Sequence, residues 1–165
     1  MEFRGLIFDL DMTLVDTSCL ESLRQQRQWQ NVYSSIPDTV LYPGVRELIS
    51  ELTQKYVSGV VTSSPRSYAE KVLEYHSLST EVLVAYHDTS YHKPHPAPFI
   101  MACQKLGIPP SQIVSIGDQE NDYLAAQAAG LAHYHAGWAA ERYPTLPEAL
   151  NCPSIIHLRD VLNMK

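Results

Sequence analysis

Short runs of apolar residues alternate along this chain with segments whose apolar residues follow a helical period, and this alternation limits the fold more than any other feature. Six short runs are strand candidates: 4–10, 57–62, 81–85, 113–117, 131–135 and 154–157. The helix candidates between them are 44–55, 66–76, 96–106 and 120–129. Strands that alternate with helices indicate βαβ units, so we predict an α/β fold, a three-layer Rossmann-like sandwich around a central parallel sheet.

The composition limits the class of protein and its partners. The 165 residues suffice for one domain with a sizeable core, and 45% hydrophobic with 18% charged residues is ordinary for a soluble globular protein. A net charge of −6 argues against nucleic acid as a partner. Three widely spaced cysteines predict free thiols in a reducing compartment. Without a signal-peptide pattern or a long apolar run, the sequence predicts a cytoplasmic protein and no membrane segment.

Residues 17–41 interrupt the alternation between the first strand and the first regular helix. The segment has 25 residues, and a helix over about 18–34 is compatible with its polar middle, RQQRQWQN. Independent domains below ~40 residues rarely fold without disulfides or metals. We therefore predict a single domain, residues 1–165, with 17–41 as a short flap or helical insertion. Residues 138–151 are a further candidate for one rim of a cleft.

Polar residues follow four of the predicted strands, and ligands of open parallel sheets bind at these carboxyl ends. The set consists of acids, small hydroxyls and one lysine: Asp9, Asp11 and Thr13 after the first strand, Thr62, Ser63 and Ser64 after the second, Lys93 after the third, and Asp118 and Asp122 after the fourth. Carboxylates beside hydroxyls and a lysine suit a divalent cation next to a phosphoryl group.

The order of these motifs resembles the haloacid dehalogenase superfamily of phosphohydrolases. DLDMT at 9–13, a hydroxyl after the second strand, the KP pair at 93–94 and GDQEND at 117–122 stand in the order that the family has. Each motif is weak alone, but together on an alternating α/β chain they are specific. The resemblance implies a Mg²⁺-dependent phosphatase that hydrolyses phosphate monoesters through an aspartyl-phosphate intermediate.

The resemblance also implies a role for the residues around the transferred phosphoryl group. Asp9 would be the nucleophile, and Asp11 would be the general acid and base, with its backbone carbonyl as a metal ligand. An aspartate at position 11 favours phosphate monoesters, because the dehalogenases and transport ATPases of the superfamily have other residues there. Lys93 would bind the phosphoryl group and neutralise its charge together with that of Asp9.

The remaining roles concern the phosphoryl oxygens and the metal. Thr62 would donate a hydrogen bond to a phosphoryl oxygen, with Ser63 and Ser64 as competing candidates. The metal would be Mg²⁺, which prefers oxygen ligands, and its ligands would be Asp9, Asp11 and Asp118. Asp122 would bind the metal through water or orient Lys93, and Thr13 would help to hold the turn.

Several other side chains near these motifs have two interpretations each. Three histidines surround Lys93 and either contact the substrate or lie in a solvated loop: His87, His92 and His95. A site of hard oxygen ligands argues against zinc at these histidines. Four residues of the insertion either reach the substrate over Asp9 or form a solvated helix face: Arg24, Arg27, Trp29 and Tyr33.

The insertion is much shorter than the caps of many relatives, which have some sixty residues or more. A small lid predicts an open cleft, and therefore either a bulky phosphorylated substrate or closure of the site by a second subunit. Two alternatives to hydrolysis stay open. One is a phosphotransferase or phosphomutase of the same superfamily, which differs only in the acceptor of the phosphoryl group. The other is a catalytically silent module that binds a phosphorylated ligand.

Overall fold

A parallel sheet runs through the middle of the protein, of which a computed structural model describes residues 2–139, 146 and 149–163. The described residues form eight strands: β1 (Gly5–Phe8), β2 (Val15–Asp16), β3 (Val40–Leu41), β4 (Val57–Val61), β5 (Val82–Val84), β6 (Ile113–Gly117), β7 (Ala132–Ala136) and β8 (Leu150–Cys152). Six of them form the main sheet in the order β5–β4–β1–β6–β7–β8, and every neighbouring pair is parallel. The predicted parallel α/β sheet is confirmed.

Helices cover both faces of this sheet. Seven α-helices lie in the described residues: α1 (Glu21–Gln25), α2 (Trp29–Ser34), α3 (Val45–Leu52), α4 (Arg66–Tyr75), α5 (Ala97–Leu106), α6 (Glu120–Ala129) and α7 (Ile155–Asn163). Leu6 and Phe8 of β1 belong to a core cluster that includes buried residues of α3, α4 and α7. Ile7, between them, belongs to a second cluster with residues of α5 and α6. Because side chains of a strand alternate between its faces, these two clusters are the two interfaces of the predicted three-layer sandwich.

One predicted strand is a helix. Residues 155–157 begin α7, Ser154 directly precedes it, and the last strand of the sheet lies earlier, at β8. The hydroxyl of Ser154 accepts a hydrogen bond from the backbone N–H of His157 (3.1 Å), as a capping residue does. Ile155, Leu158 and Leu162 are buried at helical spacing. The prediction was wrong because a short apolar run does not distinguish a strand from the first turn of a buried helix.

The insertion consists of two short helices instead of one continuous helix over 18–34. α1 ends at Gln25, and α2 begins at Trp29 after a turn in which Arg27 has a left-handed backbone (φ 55°). The antiparallel pair of β2 and β3 joins the two ends of the insertion. The segment packs on the core through buried Val32 and Ile36.

The structure describes part of the candidate rim 138–151. Trp138, at the start of the candidate rim, donates its indole N–H to the backbone carbonyl of Thr13 (2.9 Å). Residues 140–145, 147 and 148 of that rim lie outside the described residues.

No helix in the described part of the chain has both the length and the apolar character needed to cross a bilayer.

Candidate active site

The polar strand ends meet in one cavity, at the carboxyl end of β1. This strand lies between β4 and β6, where the strand order reverses, which is the usual ligand position in an open α/β sheet. The cavity has a volume of about 700 Å³. Residues of the strand-end loops and α6 form what we call the floor: Asp9, Asp11, Thr62, Ser63, Ser64, Lys93 and Asp122. Residues of the insertion form what we call the wall: Thr17, Ser18, Glu21, Arg24, Gln25, Arg27 and Trp29.

A tight turn after β1 presents the first two acids to this cavity. The backbone N–H of Asp9 still bonds to the carbonyl of Ile116 on β6 (2.8 Å), so Asp9 keeps the direction of the strand. The chain then turns through Met12, whose backbone is left-handed (φ 63°), and Met12 donates its N–H to Val15 (2.8 Å). A left-handed residue other than glycine costs of order 1–3 kcal/mol and often marks a functional loop.

Lys93 connects this turn to the first turn of α6. Its ammonium donates hydrogen bonds to Asp9 (2.9 Å) and Asp122 (2.5 Å), and also to the backbone carbonyl of Val61 (3.2 Å). The Lys93 side chain is only 5% exposed. Burial alone would lower the pKa of Lys93, but the charges of Asp122 and Asp9 outweigh it and raise the pKa above its ordinary value. Lys93 is therefore a permanent cation of the floor.

Asp9 and Asp122 of the floor, together with Asp118 behind them, lie close enough to share one metal ion. One oxygen each of Asp9, Asp118 and Asp122 lies within 4.8 Å of the other two. Burial, and next to it the charge of Asp122, raises the pKa of Asp118 to about 7. Burial also raises the pKa of Asp9 well above its ordinary value, although Lys93 opposes this shift. Such a crowded set of hard oxygen donors fits a divalent cation of the Mg²⁺ type, whose charge would favour the ionised carboxyl groups.

Two residues hold these acids in place. Thr13 is fully buried, and its hydroxyl donates a hydrogen bond to Asp118 (3.1 Å). Gly117 lets Asp122 fold back over the backbone, because a Cβ at this position would lie 2.5 Å from an Asp122 oxygen. Asp122 also caps α6, because its carboxylate accepts a hydrogen bond from the backbone N–H of Gln119 (3.1 Å). The glycine of GDQEND therefore serves the placement of its last acid.

Asp11 lies apart from this metal group and bonds to residues of the wall and the core. Its Oδ1 accepts hydrogen bonds from Thr17 (2.7 Å), Arg24 (2.9 Å) and Tyr68 (2.6 Å), and its Oδ2 accepts one from Ser64 (2.8 Å). Burial, and next to it the charge of Asp11, raises the pKa of Tyr68 above its ordinary value, so the phenol keeps its proton and donates.

Two of these four donors were not anticipated from the sequence. Thr17 and Tyr68 lie in a predicted insertion and on a predicted helix, and neither belongs to a motif. Arg24 and Ser64 were open candidates, and both contact Asp11. Arg24 also donates to Ser64 (2.7 Å), and its guanidinium carbon lies 4.7 Å from the centre of the Tyr68 ring. The charge and the position of Arg24 in the insertion were the only sequence signals.

The hydroxyl residues after β4 differ in exposure. Thr62 is 4% exposed, and its hydroxyl accepts a hydrogen bond from the N–H of Ser64 (3.1 Å). Ser63 is exposed and lines the cavity as Thr62 does. Thr62 therefore has a fixed hydroxyl whose proton remains available to a ligand, because the contact with Ser64 uses it as an acceptor.

The three histidines near Lys93 pack against tyrosine rings, His87 and His92 on Tyr86 and His95 on Tyr91. His92 stacks on Tyr86 with 3.8 Å between ring centres, and His95 stacks on Tyr91 at 4.6 Å. His87 lines the cavity. Within the described residues, the acids Asp9, Asp118 and Asp122 are the only histidine, cysteine or carboxylate group of three or more placed to share a metal.

Known protein sequences resemble more than half of this chain. The profile of the haloacid dehalogenase-like hydrolases matches residues 20–135, which is more than half of the chain. A phosphoglycolate phosphatase from Pasteurella multocida is 38% identical over 97 residues, which cover 57% of this chain and 43% of the relative. The chain spans about half the length of the curated relatives it matches.

Solved structures share the fold at lower sequence identity. A Lactobacillus plantarum protein, assigned provisionally as a phosphoglycolate phosphatase, superimposes with a TM-score of 0.82 at 22% identity and covers 100% of both chains. The hydrolase YfnB from Bacillus subtilis, described as bound to magnesium, has a TM-score of 0.79 at 20% identity, over 99% of this chain and 100% of that one. The fold, the cavity and the matching profile agree: the chain belongs to the family of haloacid dehalogenase-like hydrolases.

Proposed function

We propose that this chain is a Mg²⁺-dependent phosphatase that hydrolyses phosphate monoesters through an aspartyl-phosphate on Asp9. The observation that carries the proposal is the position of Asp9. Its carboxylate lies beside the ammonium of Lys93, in reach of a shared metal with Asp118 and Asp122, and at the floor of a cavity that is open to a substrate. The names of the sequence relatives support the same chemistry.

The reaction would take place in two steps. In the first step a carboxylate oxygen of Asp9 attacks the phosphorus, the bond to the leaving oxygen breaks, and Asp11 gives a proton to that oxygen. In the second step Asp11 takes a proton from a water molecule, the water oxygen attacks the phosphorus, and the bond to Asp9 breaks. Inorganic phosphate and the free carboxylate of Asp9 result, so protons and bonds balance over the cycle.

The other floor residues would stabilise the charge that moves during these steps. Lys93 would neutralise the charge of the phosphoryl oxygens and keep Asp9 in position through its hydrogen bond. The Thr62 hydroxyl would donate a hydrogen bond to one of those oxygens, with Ser63 beside it. Asp9, Asp118 and the backbone carbonyl of Asp11 would hold Mg²⁺. When bound, that ion withdraws charge from the phosphoryl group and keeps Asp9 ionised.

Asp122 and Thr13 would act by positioning, the first on Lys93 and the second on Asp118. The short contacts between Asp122 and Lys93 (2.5 Å) and between Thr13 and Asp118 (3.1 Å) support these roles. The carboxylate of Asp122 also lies within reach of the shared metal, so a direct metal contact is the alternative to one through water.

We further propose that the chain is one domain in which residues 17–41 serve as a small cap. This insertion supplies the wall of the cavity, and its size supports an open cleft for a bulky phosphorylated substrate or for closure by a second subunit. The free cysteines Cys19, Cys103 and Cys152 support a reducing compartment, the cytoplasm. The net charge of −6 supports a partner other than nucleic acid.

A panel of phosphate monoesters, assayed for phosphate release with and without Mg²⁺, tests the proposal. We expect turnover that depends on Mg²⁺ and that falls by at least ~10⁴-fold in Asp9→Asn, because the nucleophile is lost while the shape is kept. Product analysis with a labelled phosphomonoester distinguishes the phosphatase from a phosphotransferase, since the label ends mainly in inorganic phosphate in the first case and mainly in a new ester in the second. A silent binding module would bind phosphate and release none from any ester, and that result would refute the enzyme proposal.

A further inference from the structure

The four hydrogen bonds of Asp11 are divided unequally between its two carboxylate oxygens. Oδ1 accepts three of them, from Thr17, Arg24 and Tyr68, and Oδ2 accepts one, from Ser64. A carboxylate oxygen has about two lone pairs. Oδ1 is therefore fully occupied, whereas Oδ2 keeps one position at which it can accept or carry a proton.

Two of these donors belong to the core of the domain, one for each oxygen. Tyr68 lies on α4, is fully buried and donates to Oδ1 at 2.6 Å. Ser64 follows β4, is 2% exposed and donates to Oδ2 at 2.8 Å. The other two donors, Thr17 and Arg24, belong to the insertion. The core thus holds each oxygen of Asp11 by a hydrogen bond of its own.

The ring of Tyr68 packs against side chains of the insertion and stays away from the cavity. The guanidinium carbon of Arg24 lies 4.7 Å from the ring centre, and the ring of Trp29 lies 6.3 Å from it. Asp11 lines the cavity, and Tyr68 does not. A substrate in the cavity therefore meets Asp11 and not the phenol, so the Tyr68 hydroxyl can influence the reaction only through Asp11.

The orientation of the Asp11 carboxylate depends on these hydrogen bonds. The torsion that turns a carboxylate about its Cβ–Cγ bond is soft, and rotation would exchange Oδ1 and Oδ2. Without the Tyr68 hydroxyl, only donors of the insertion would hold Oδ1, and the side chain of one of them, Arg24, is 26% exposed. A general acid has to lie within hydrogen-bond distance of the leaving oxygen, so a carboxylate that rotates transfers its proton more slowly.

We propose that Tyr68 is a positioning residue for the proton transfer: together with Ser64, its hydroxyl fixes the Asp11 carboxylate so that Oδ2 is the oxygen that gives and takes the proton. The inference rests on the proposed phosphatase function and adds a residue that no motif contains. In the first step the O–H bond at Oδ2 breaks and its proton goes to the leaving oxygen, while the bond from Asp9 to phosphorus forms and the bond from phosphorus to the leaving oxygen breaks. In the second step a proton of the attacking water returns to Oδ2, and the bond from phosphorus to Asp9 breaks.

Two esters that differ in their need for a proton test this inference. Propyl phosphate has a strongly basic alkoxide as its leaving group, whereas 4-nitrophenyl phosphate releases a stable phenolate that leaves without a proton. The constant to compare is kcat/KM, because the later hydrolysis of the aspartyl-phosphate does not enter it. In Tyr68→Phe we expect kcat/KM to fall by at least ~10-fold for propyl phosphate, the effect of one hydrogen bond to a charged group, and by less than about threefold for 4-nitrophenyl phosphate.

Tyr56→Phe is the matched control, and Asp11→Asn sets the limit of the effect. Tyr56 is 5% exposed, and its hydroxyl donates to the backbone carbonyl of Leu162 (3.1 Å). Its variant should keep the wild-type ratio of kcat/KM between propyl and 4-nitrophenyl phosphate. Asp11→Asn should lower this ratio at least as far as Tyr68→Phe does, because Tyr68 acts through Asp11. The ratio does not depend on the fraction of folded enzyme, since both esters meet the same sample.

The outcomes separate this inference from the proposed function. If Asp11→Asn lowers the ratio but Tyr68→Phe changes neither ester or slows both equally, Tyr68 is only structural and the inference is wrong, while the phosphatase proposal stands. The inference is also wrong if the wild type hydrolyses 4-nitrophenyl phosphate and no propyl phosphate, because Asp11 then protonates no alkoxide. If hydrolysis does not depend on Asp9, or if Asp11→Asn leaves the ratio unchanged, the proposed mechanism fails and the inference fails with it.

Discussion

The floor and the wall of the cavity hold their charged residues by different means. On the floor, Lys93 and Asp122 are 5% and 3% exposed in their side chains, and the sheet and α6 hold them. On the wall, Arg24 is 26% exposed and lies on a helix of five residues. A buried ion pair that loses one partner leaves an uncompensated charge, whereas an exposed one is solvated instead. The charges of the floor are therefore held more rigidly than those of the wall, where Arg24 can move at a lower cost.

The largest effect should come from removing the cation of the floor. In Lys93→Met the carboxylates of Asp9 and Asp122 lose their common partner, so we expect about 3–5 kcal/mol less stability and at least ~10³-fold less activity. Chemical denaturation and phosphate release measure the two effects. Lys105→Met, an exposed lysine of α5, is the control and should change neither strongly. Adding Asp122→Asn to Lys93→Met should restore part of the stability but no activity. A double variant that is no more stable than Lys93→Met would contradict this account.

A smaller effect should follow when a single added methyl group displaces one acid of the floor. In Gly117→Ala the new Cβ would lie 2.5 Å from an Asp122 oxygen, so Asp122 has to leave Lys93. We expect about 1–3 kcal/mol less stability and about 10–100-fold less activity. Gly107→Ala is the matched control, since its Cβ meets nothing within 4 Å and only its left-handed backbone (φ 67°) opposes alanine. It should cost about 1 kcal/mol and leave activity intact; equal activity losses would contradict the steric explanation.

Metal binding should stabilise the floor, and more at high pH. The pKa of Asp118 is raised from 3.8 to about 7 by burial and by Asp122, so the folded state holds a proton that the unfolded state has lost. Without metal, this contribution to stability is therefore present at low pH and is lost as the pH rises from about 4 to about 7. Mg²⁺ at ten times the Kd measured at pH 8 should raise Tm by about 3–6 °C at pH 8, and the same concentration should raise it by less at pH 6. Thermal melts in EDTA and in Mg²⁺ measure this; a larger shift at pH 6 would contradict it.

The attachment of the insertion that carries the wall should weaken at low pH, whereas the contribution of Asp118 to stability is largest there. The hydroxyl of Thr39, in the insertion, bonds to the imidazole of His76 on the core (2.8 Å). Burial, and next to it the charge of Arg46, lowers the pKa of His76. The folded state therefore binds this proton less well than the unfolded state, and the attachment of the wall weakens as the pH falls below about 6.5. Hydrogen exchange of residues 29–39, corrected for intrinsic rates, should become faster relative to β1 as the pH falls from 7 to 5.5.

The smallest effect should come from removing that hydroxyl. Thr39→Val should cost about 1 kcal/mol, because the buried hydroxyl loses its contact with His76 and the hydrogen bond that it donates to the carbonyl of Ile36 (2.6 Å). Thr53→Val is the control, since its exposed hydroxyl at the end of α3 donates to the carbonyl three residues earlier, that of Ser50 (3.3 Å), and has no histidine partner among the described residues. Urea unfolding measures both variants. An equal cost in the two would show that the contact between Thr39 and His76 does not anchor the wall.

The sequence predicted the floor better than the wall, for a physical reason. Strand ends of a parallel sheet meet at one edge, so acids, hydroxyls and a lysine placed there come together whatever the side-chain packing is. Asp9, Lys93 and Asp122 accordingly lie in contact, and Asp118 lies beside them. The donors of Asp11 follow no such rule. Tyr68 and Arg24 are separated from Asp11 by 57 and 13 residues, and only the packing of the insertion on α4 brings them to it.

The chain by itself thus determined the parallel sheet, the three layers and the set of residues at the strand ends, because each depends on local pattern and on the general geometry of βαβ units. The tertiary structure alone decided that residues 155–157 begin a helix, that the insertion breaks near Arg27, and that four donors surround Asp11. These features depend on which buried surface a short segment meets and on contacts between distant residues, and neither is written in local sequence order.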